Sequence, residues 1–297
     1  MCIRDRYNNI EKRLGDNMCG IGGVWCFGQT KLDEKDAQRT RSLAINLENR
    51  GKDAFGFYNG EKVIKFPSSA SDVIQMIDNI RPFKDLVIGR NTFLMHTRAT
   101  TSGNPLKNKN NHPFELKDIV FAHNGVIYEH RIVNIDYADT YEIFGDITTD
   151  IPETDSFEIG YKIQKMYNKY NDFAKAIGKA LEELILQGDM ALWIYDKRQD
   201  LLALFRWERP LYIGYIGNKL WFASEKWMLK TIGAKDIDEL IDGELVIFSR
   251  NHIVYSDILD VEDHEEHFLR KYSREKRYYR EYYWREYRHY WYEDFWH

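Results

Sequence analysis

The sequence predicts an α+β protein in which antiparallel sheets pack against helices. Three observations lead there. Apolar residues recur in many short runs of strand length. Two helical segments follow one another near the middle of the chain, with strand-like runs on both sides. The strand–helix alternation that a parallel sheet requires is missing, as is any repeat of roughly 20–50 residues.

Taken in order, Met18-Cys19-Gly20 opens an apolar, glycine-rich strand over 21–27. Ala37, Leu43, Ala44 and Leu47 fall near helical spacing and predict an amphipathic helix over 33–49, stopped at Asn49-Arg50-Gly51. Runs 54–58 and 62–66 flank Asn59-Gly60, a strong hairpin dipeptide. Val73, Ile77 and Ile80 predict a short helix ending near Pro82. Residues 86–96 and 119–123 read as strands, with a polar loop over 100–111 between them. Thr154 or Asp155 can cap a helix carrying Phe157, Gly160, Ile163, Tyr167 and Tyr170 on one face. A second helix carries Phe173, Ile177, Ala180, Leu181 and Leu184 and ends at Gly188. Strands follow over 191–195, 201–207, 211–216, 219–223, 245–249 and 253–256.

Composition narrows the function. The chain has 297 residues, long enough to bury a core without staples. An aromatic content of 15% argues against wholesale disorder. No run approaches the roughly 20 apolar residues of a membrane-spanning helix, so no membrane association is expected. Cys2, Cys19 and Cys26 form neither a secreted disulfide framework nor a zinc pattern. The N-terminus lacks the apolar region of a secretory signal, so the cytoplasm is the expected location. A net charge of -5 argues against nucleic acid as the main partner.

Three regions differ in character. Residues 1–18 read as a removable leader or a misassigned start. Residues 19–257 read as the functional domain. Residues 258–297 form a tail rich in Tyr, Trp and Arg, with Tyr279, Tyr283, Tyr287 and Tyr290 recurring every three or four residues. Three readings of that tail stay open: a helix docked on its own domain, a docking segment for a partner, or a single-strand nucleic-acid contact.

Five patches carry possible chemistry, each with a structural alternative. Cys19 behind Met18 could become a chain terminus whose α-amine is its own base, or be a small residue buried in a strand. His96-Thr97-Arg98 runs into a hydroxyl-rich loop, where an arginine could hold a carboxylate or merely tie the loop down. Asn111-His112-Pro113-Phe114 is the third patch. His123-Asn124-Gly125 could furnish an oxyanion hole or be an ordinary turn. Glu153-Thr154-Asp155-Ser156 caps a helix and could also present a carboxylate to an ammonium group. His96, His112, His123 and His130 lack the spacing of a metal site, so neither a metal nor another cofactor is expected.

All five patches, in this order and at these separations, resemble the glutaminase domain of class II glutamine amidotransferases, which are N-terminal-nucleophile hydrolases. Asn49-Arg50-Gly51-Lys52-Asp53 and Phe222-Ala223-Ser224-Glu225 extend the resemblance, which covers about residues 18–255 and is nearest to the subfamily that aminates fructose 6-phosphate. It implies a four-layer αββα sandwich: two antiparallel sheets flanked by helices. It also implies roles: Cys19 as nucleophile, Asn124 and Gly125 as oxyanion hole, Arg98 with Thr101 on the α-carboxylate of L-glutamine, and Asp155 on its α-ammonium. Ala99, Ser102 and Lys52 depart from the subfamily pattern, where an aromatic, a histidine and an aromatic stand. About forty residues follow the match, too few for a synthase domain. The expected enzyme is therefore a glutaminase or amidotransferase that hydrolyses glutamine through a Cys19 thioester and supplies ammonia to a separate synthase subunit. Two alternatives are another N-terminal-nucleophile amidase and a degenerate domain kept as a binding or regulatory module.

Overall fold

The computed structural model describes residues 18–127, 137–145 and 150–259. The expected leader over 1–17, His130, and the tail from residue 260 onward lie outside the described residues.

The strands form two antiparallel sheets. In chain order they are β1 (Gly20–Cys26), β2 (Ala54–Tyr58), β3 (Val63–Phe66), β4 (Thr92–Arg98), β5 (Phe114–Glu115), β6 (Ile119–Ile127), β7 (Gly188–Asp196), β8 (Leu201–Trp207), β9 (Tyr212–Tyr215), β10 (Lys219–Ala223), β11 (Lys235–Glu239), β12 (Glu244–Phe248) and β13 (Ile253–Ile258). The seven-stranded sheet has the order β11-β9-β10-β1-β4-β2-β3, and the six-stranded sheet β13-β12-β8-β7-β6-β5. Helices α1 (Glu34–Leu47), α2 (Ala70–Asp78), α3 (Tyr137–Phe144), α4 (Asp155–Tyr170), α5 (Phe173–Leu184) and α6 (Lys226–Thr231) complete the described chain.

Side-chain alternation along the strands builds the layers. In β1, Ile21 and Trp25 join Leu94 of β4 and Val120, Ala122 and Trp193 of the other sheet in a core between the sheets. Val24 and Cys26, on the opposite face of β1, join Leu43 and Leu47 of α1, Val73 of α2 and Met228 of α6 in a second core. On the outer side of the six-stranded sheet, Gly160 of α4 lets the helix approach closely: a Cβ there would meet Phe121 Cε1 at 2.0 Å. The Trp193 indole donates to the Met95 carbonyl at 3.1 Å, bridging the two sheets through the core. These are the antiparallel sheets and outer helices that the sequence predicts. No described helix is long and apolar enough to cross a membrane.

Several boundaries differ from expectation. The strand expected over 86–96 begins only at Thr92. Phe83–Leu86 is instead a 3-10 turn, and Gly89, at φ 82°, breaks the extended backbone. Leu86 and Val87 are apolar because they pack into the helix-side core. Helix α1 starts after Asp33, whose carboxylate accepts from the Asp36 N–H while Asp36 accepts from the Asp33 N–H. It ends at Leu47, capped by Glu48 and not at Asn49-Arg50-Gly51. Ile80 lies beyond α2 and is exposed. Asn124-Gly125 is not a turn: both residues pair within the β6–β7 ladder, opposite Ala191 and Met190.

Candidate active site

The expected site residues converge at one end of the two sheets. Cys19, Arg98, Thr101, Gly125 and Asp155 line a single cavity with Ala99, Ser102, His112, His123, Thr154 and Ser156. Asn124 stands in the chain between two of these residues.

Cys19 immediately precedes β1. Its thiol donates to the Ala99 carbonyl at 3.5 Å, and its own carbonyl accepts from Arg50 Nε at 2.9 Å. Arg50 is buried and paired with Glu225. Ser224, beside Glu225, accepts from the Ile21 N–H at 2.9 Å. The chain immediately after Cys19 is thus held by residues just beyond the ends of α1 and β10. Sequence reasoning took Asn49-Arg50-Gly51 as a helix stop and missed this contact; its place in the family-like motif was the available signal. Loss of water around the sulfur pushes the thiol up to about 11, against the opposing pull of Arg98 and Arg50.

Arg98 ends β4 and is 3% exposed. It donates to Asn111 Oδ1 at 2.7 Å, to the Ser102 carbonyl, and to the Gly103 carbonyl at 3.3 Å. Asn111, noted in the sequence without a role, is therefore the side chain that orients the guanidinium. Asp155 is the first residue of α4, after Thr154 at the N-cap position. One of its oxygens accepts from the Ile127 N–H at 3.0 Å and the other from Ser102 Oγ at 2.8 Å. Thr154 makes no side-chain cap, and its buried hydroxyl has no partner among the described residues. Thr101 is exposed at the cavity rim.

Gly125 has φ 147°, a backbone region that favours glycine, and a Cβ there would meet the Asp189 carbonyl oxygen at 2.0 Å. Asn124 is 1% exposed, and its amide nitrogen has no hydrogen-bond partner among the described residues. A buried donor left without an acceptor costs about 1–3 kcal/mol. His123 and Gly125, the chain neighbours of Asn124, line the cavity.

Three buried histidines support this strand. His96 of β4 approaches the His123 carbonyl at 3.1 Å, across the two sheets. His123 Nε2 donates to the Asp189 carbonyl at 3.2 Å, so its Nδ1 accepts from Ser156 Oγ at 2.9 Å. His112 packs its ring 4.1 Å from that of His96, and neither of its nitrogens has a partner among the described residues. Burial lowers all three: His96 to about 3, and His112 well below the ordinary histidine value. They are therefore neutral at physiological pH and poor bases. In the unfolded chain each titrates near the ordinary value of about 6.5. The unfolded state therefore takes up protons first as the pH falls, and the stability present above about pH 6.5 is lost below it. His96, lowered to about 3, should remove about 2 kcal/mol of unfolding free energy between about pH 7 and about pH 5, and His112 acts in the same direction. Denaturant titrations of wild type and His112→Gln check this, the variant losing less on acidification. Among the described residues, no group of histidine, cysteine and carboxylate side chains could hold a metal ion.

The fold has close counterparts among solved structures. The glutamine phosphoribosylpyrophosphate amidotransferase of B. subtilis matches with a TM-score of 0.58 over 82% of this chain and 49% of that one, at 21% sequence identity. A structure of the allosteric regulatory enzyme of purine biosynthesis matches with a TM-score of 0.61 over the same shares, also at 21% identity. By sequence, the chain is 30% identical over 253 residues to the glutamine–fructose-6-phosphate aminotransferase (isomerizing) of Buchnera aphidicola, covering 78% of this chain and 40% of the relative. It is 29% identical over 242 residues to the enzyme of that name from Oceanobacillus iheyensis, covering 80% and 36%. No protein-family model matches the chain. With these relatives and this fold, the chain belongs to the class II glutamine amidotransferases, with the two-sheet architecture of N-terminal-nucleophile hydrolases. It spans less than half the length of the curated relatives it matches.

Proposed function

We propose that this domain hydrolyses L-glutamine to glutamate and ammonia through a γ-glutamyl thioester on Cys19. The observation that carries the reading is the shared cavity of a thiol, an arginine and an aspartate. A free α-amino acid bears one charge of each sign at its α-carbon. Arg98 matches the carboxylate with a planar fork, and Asp155 matches the ammonium. That pairing disfavours an amidase for substrates lacking both charges, and the intact set disfavours a degenerate binding module.

The reaction needs a thiolate, and a thiol raised to about 11 does not supply one unaided. The buried histidines are depressed, which leaves the α-amine of a Cys19 at the chain terminus, near pKa 8, as the base. The amine takes the thiol proton as sulfur attacks the amide carbon. The C–S bond forms, the carbonyl electrons move to oxygen, and the Asn124 amide with the Gly125 N–H receives that charge. Collapse breaks the C–N bond, and the proton held on the amine goes to the departing nitrogen. Water then hydrolyses the thioester, restoring the thiol and releasing glutamate.

Substrate grip is tested by Arg98→Lys, which keeps the charge and loses the fork. It should raise KM for glutamine by about tenfold or more, equivalent to roughly 1.4 kcal/mol. Glutamate release measured across glutamine concentrations reads this directly. An unchanged KM would remove Arg98 from the substrate site.

A further inference from the structure

One short loop touches all three groups assigned to the substrate. The Cys19 thiol donates to the Ala99 carbonyl, Arg98 donates to the Ser102 carbonyl, and Ser102 Oγ donates to Asp155 Oδ1 at 2.8 Å. Ser102 thus joins the two charged anchors. Its carbonyl dipole presents negative charge to the guanidinium, and its hydroxyl presents a proton to the carboxylate. The Ile127 N–H donates to the other oxygen of Asp155 at 3.0 Å, so both carboxylate oxygens already hold a donor before any ligand arrives.

The loop is tied at several points: the Gly103 carbonyl accepts from Arg98 at 3.3 Å and the Pro105 carbonyl from Asn111 Nδ2 at 2.7 Å. The Thr100 N–H donates to Asp53 at 2.8 Å, and Asn110 Nδ2 donates to the Asn104 carbonyl at 3.2 Å. Between them Ser102 is half-buried, and Gly103, at φ 67°, turns the backbone.

We propose that Ser102 sets the affinity of this site by competing with the substrate: its carbonyl and hydroxyl stand in for the α-carboxylate and α-ammonium of an amino acid, which must displace both to bind. The inference rests on the substrate reading above. It has a definite sign. Removing a residue that helps to hold the ligand weakens binding, whereas removing a competitor tightens it. It also sharpens selectivity, because a ligand lacking the α-ammonium leaves the Ser102–Asp155 bond in place.

The test is calorimetric binding of L-glutamate, the unreactive product, to the full chain as wild type, Ser102→Ala and Ser102→Thr. Loss of one hydrogen bond to a charged acceptor corresponds to about a tenfold to hundredfold change in Kd. Ser102→Ala should bind L-glutamate more tightly by that factor and lower KM for glutamine in step, while Ser102→Thr, which keeps a hydroxyl, stays near wild type. Unchanged or weaker binding by Ser102→Ala, with wild type binding normally, overturns the competition and leaves the substrate reading intact. Binding of neither L-glutamate nor L-glutamine by any of the three proteins overturns the substrate reading and the inference with it.

Discussion

A chain that keeps Met18 ahead of Cys19 is expected to hydrolyse glutamine about a thousandfold more slowly than one that begins at Cys19, the range that a positioned general base contributes. Met18 is half-buried. Its sulfur lies 3.6 Å from Arg50 Nη2 and also contacts Arg209, while Arg50 holds the Cys19 carbonyl. In that state the cysteine nitrogen is an amide and cannot accept a proton. The thiol is pushed up to about 11 by burial, so at neutral pH only about one molecule in 10⁴ carries the thiolate. His112 and His123 line the same cavity, but burial lowers both from the ordinary histidine value and so weakens them as bases. The measurement compares glutamate release from two preparations whose first residue is fixed by intact mass. Equal rates would show that some other group activates Cys19.

The second large effect is expected at Asn124. Asn124→Ala should lower kcat by roughly 10²–10³ and leave glutamine binding nearly unchanged, because a donor to the oxyanion acts only as charge develops on the amide oxygen. The free protein supports this assignment: the Asn124 amide is buried and has no acceptor among the described residues. A donor serving only the fold would be expected to have found one. Steady-state kinetics separate the cases. A rise in KM at constant kcat would make Asn124 a residue that shapes the pocket.

The legible part of the site was the part written in contiguous motifs. Cys19, Arg98, Asn124-Gly125 and Asp155 each sit at the end of a strand, within a strand or at the start of a helix, and local pattern placed them in sequence order. Contacts closed by the tertiary fold were not legible. Ser224 meets Ile21 only because β1 pairs with β10, and Arg50 meets the Cys19 carbonyl only because α1 packs beside β1. Asn124-Gly125 shows the same limit from the other side. As an isolated dipeptide it favours a turn, but nine paired positions between β6 and β7 hold it in a strand. Strand β11 escaped notice because its sequence, Lys-Asp-Ile-Asp-Glu, is mostly charged; it is an exposed edge strand, where charges block further pairing. Helix α6 escaped because six residues are too few for a periodic pattern.

The central claim is that Cys19 attacks the side-chain amide of a glutamine held by Arg98 and Asp155. The most direct test is a glutamine analogue with a reactive ketone in place of the amide, followed by mass spectrometry of the labelled peptides. Its α-carboxylate and α-ammonium would seat at Arg98 and Asp155 and bring the electrophile to the thiol, so labelling should far outpace that by a simple alkylating agent of equal reactivity. Cys26 is fully buried in β1, and its thiol is likewise pushed up to about 11, so it should not react. The account predicts one adduct per chain, on Cys19, prevented by L-glutamine and not by D-glutamine. Adducts on another cysteine, or labelling of Cys19 that L-glutamine does not slow, would contradict it.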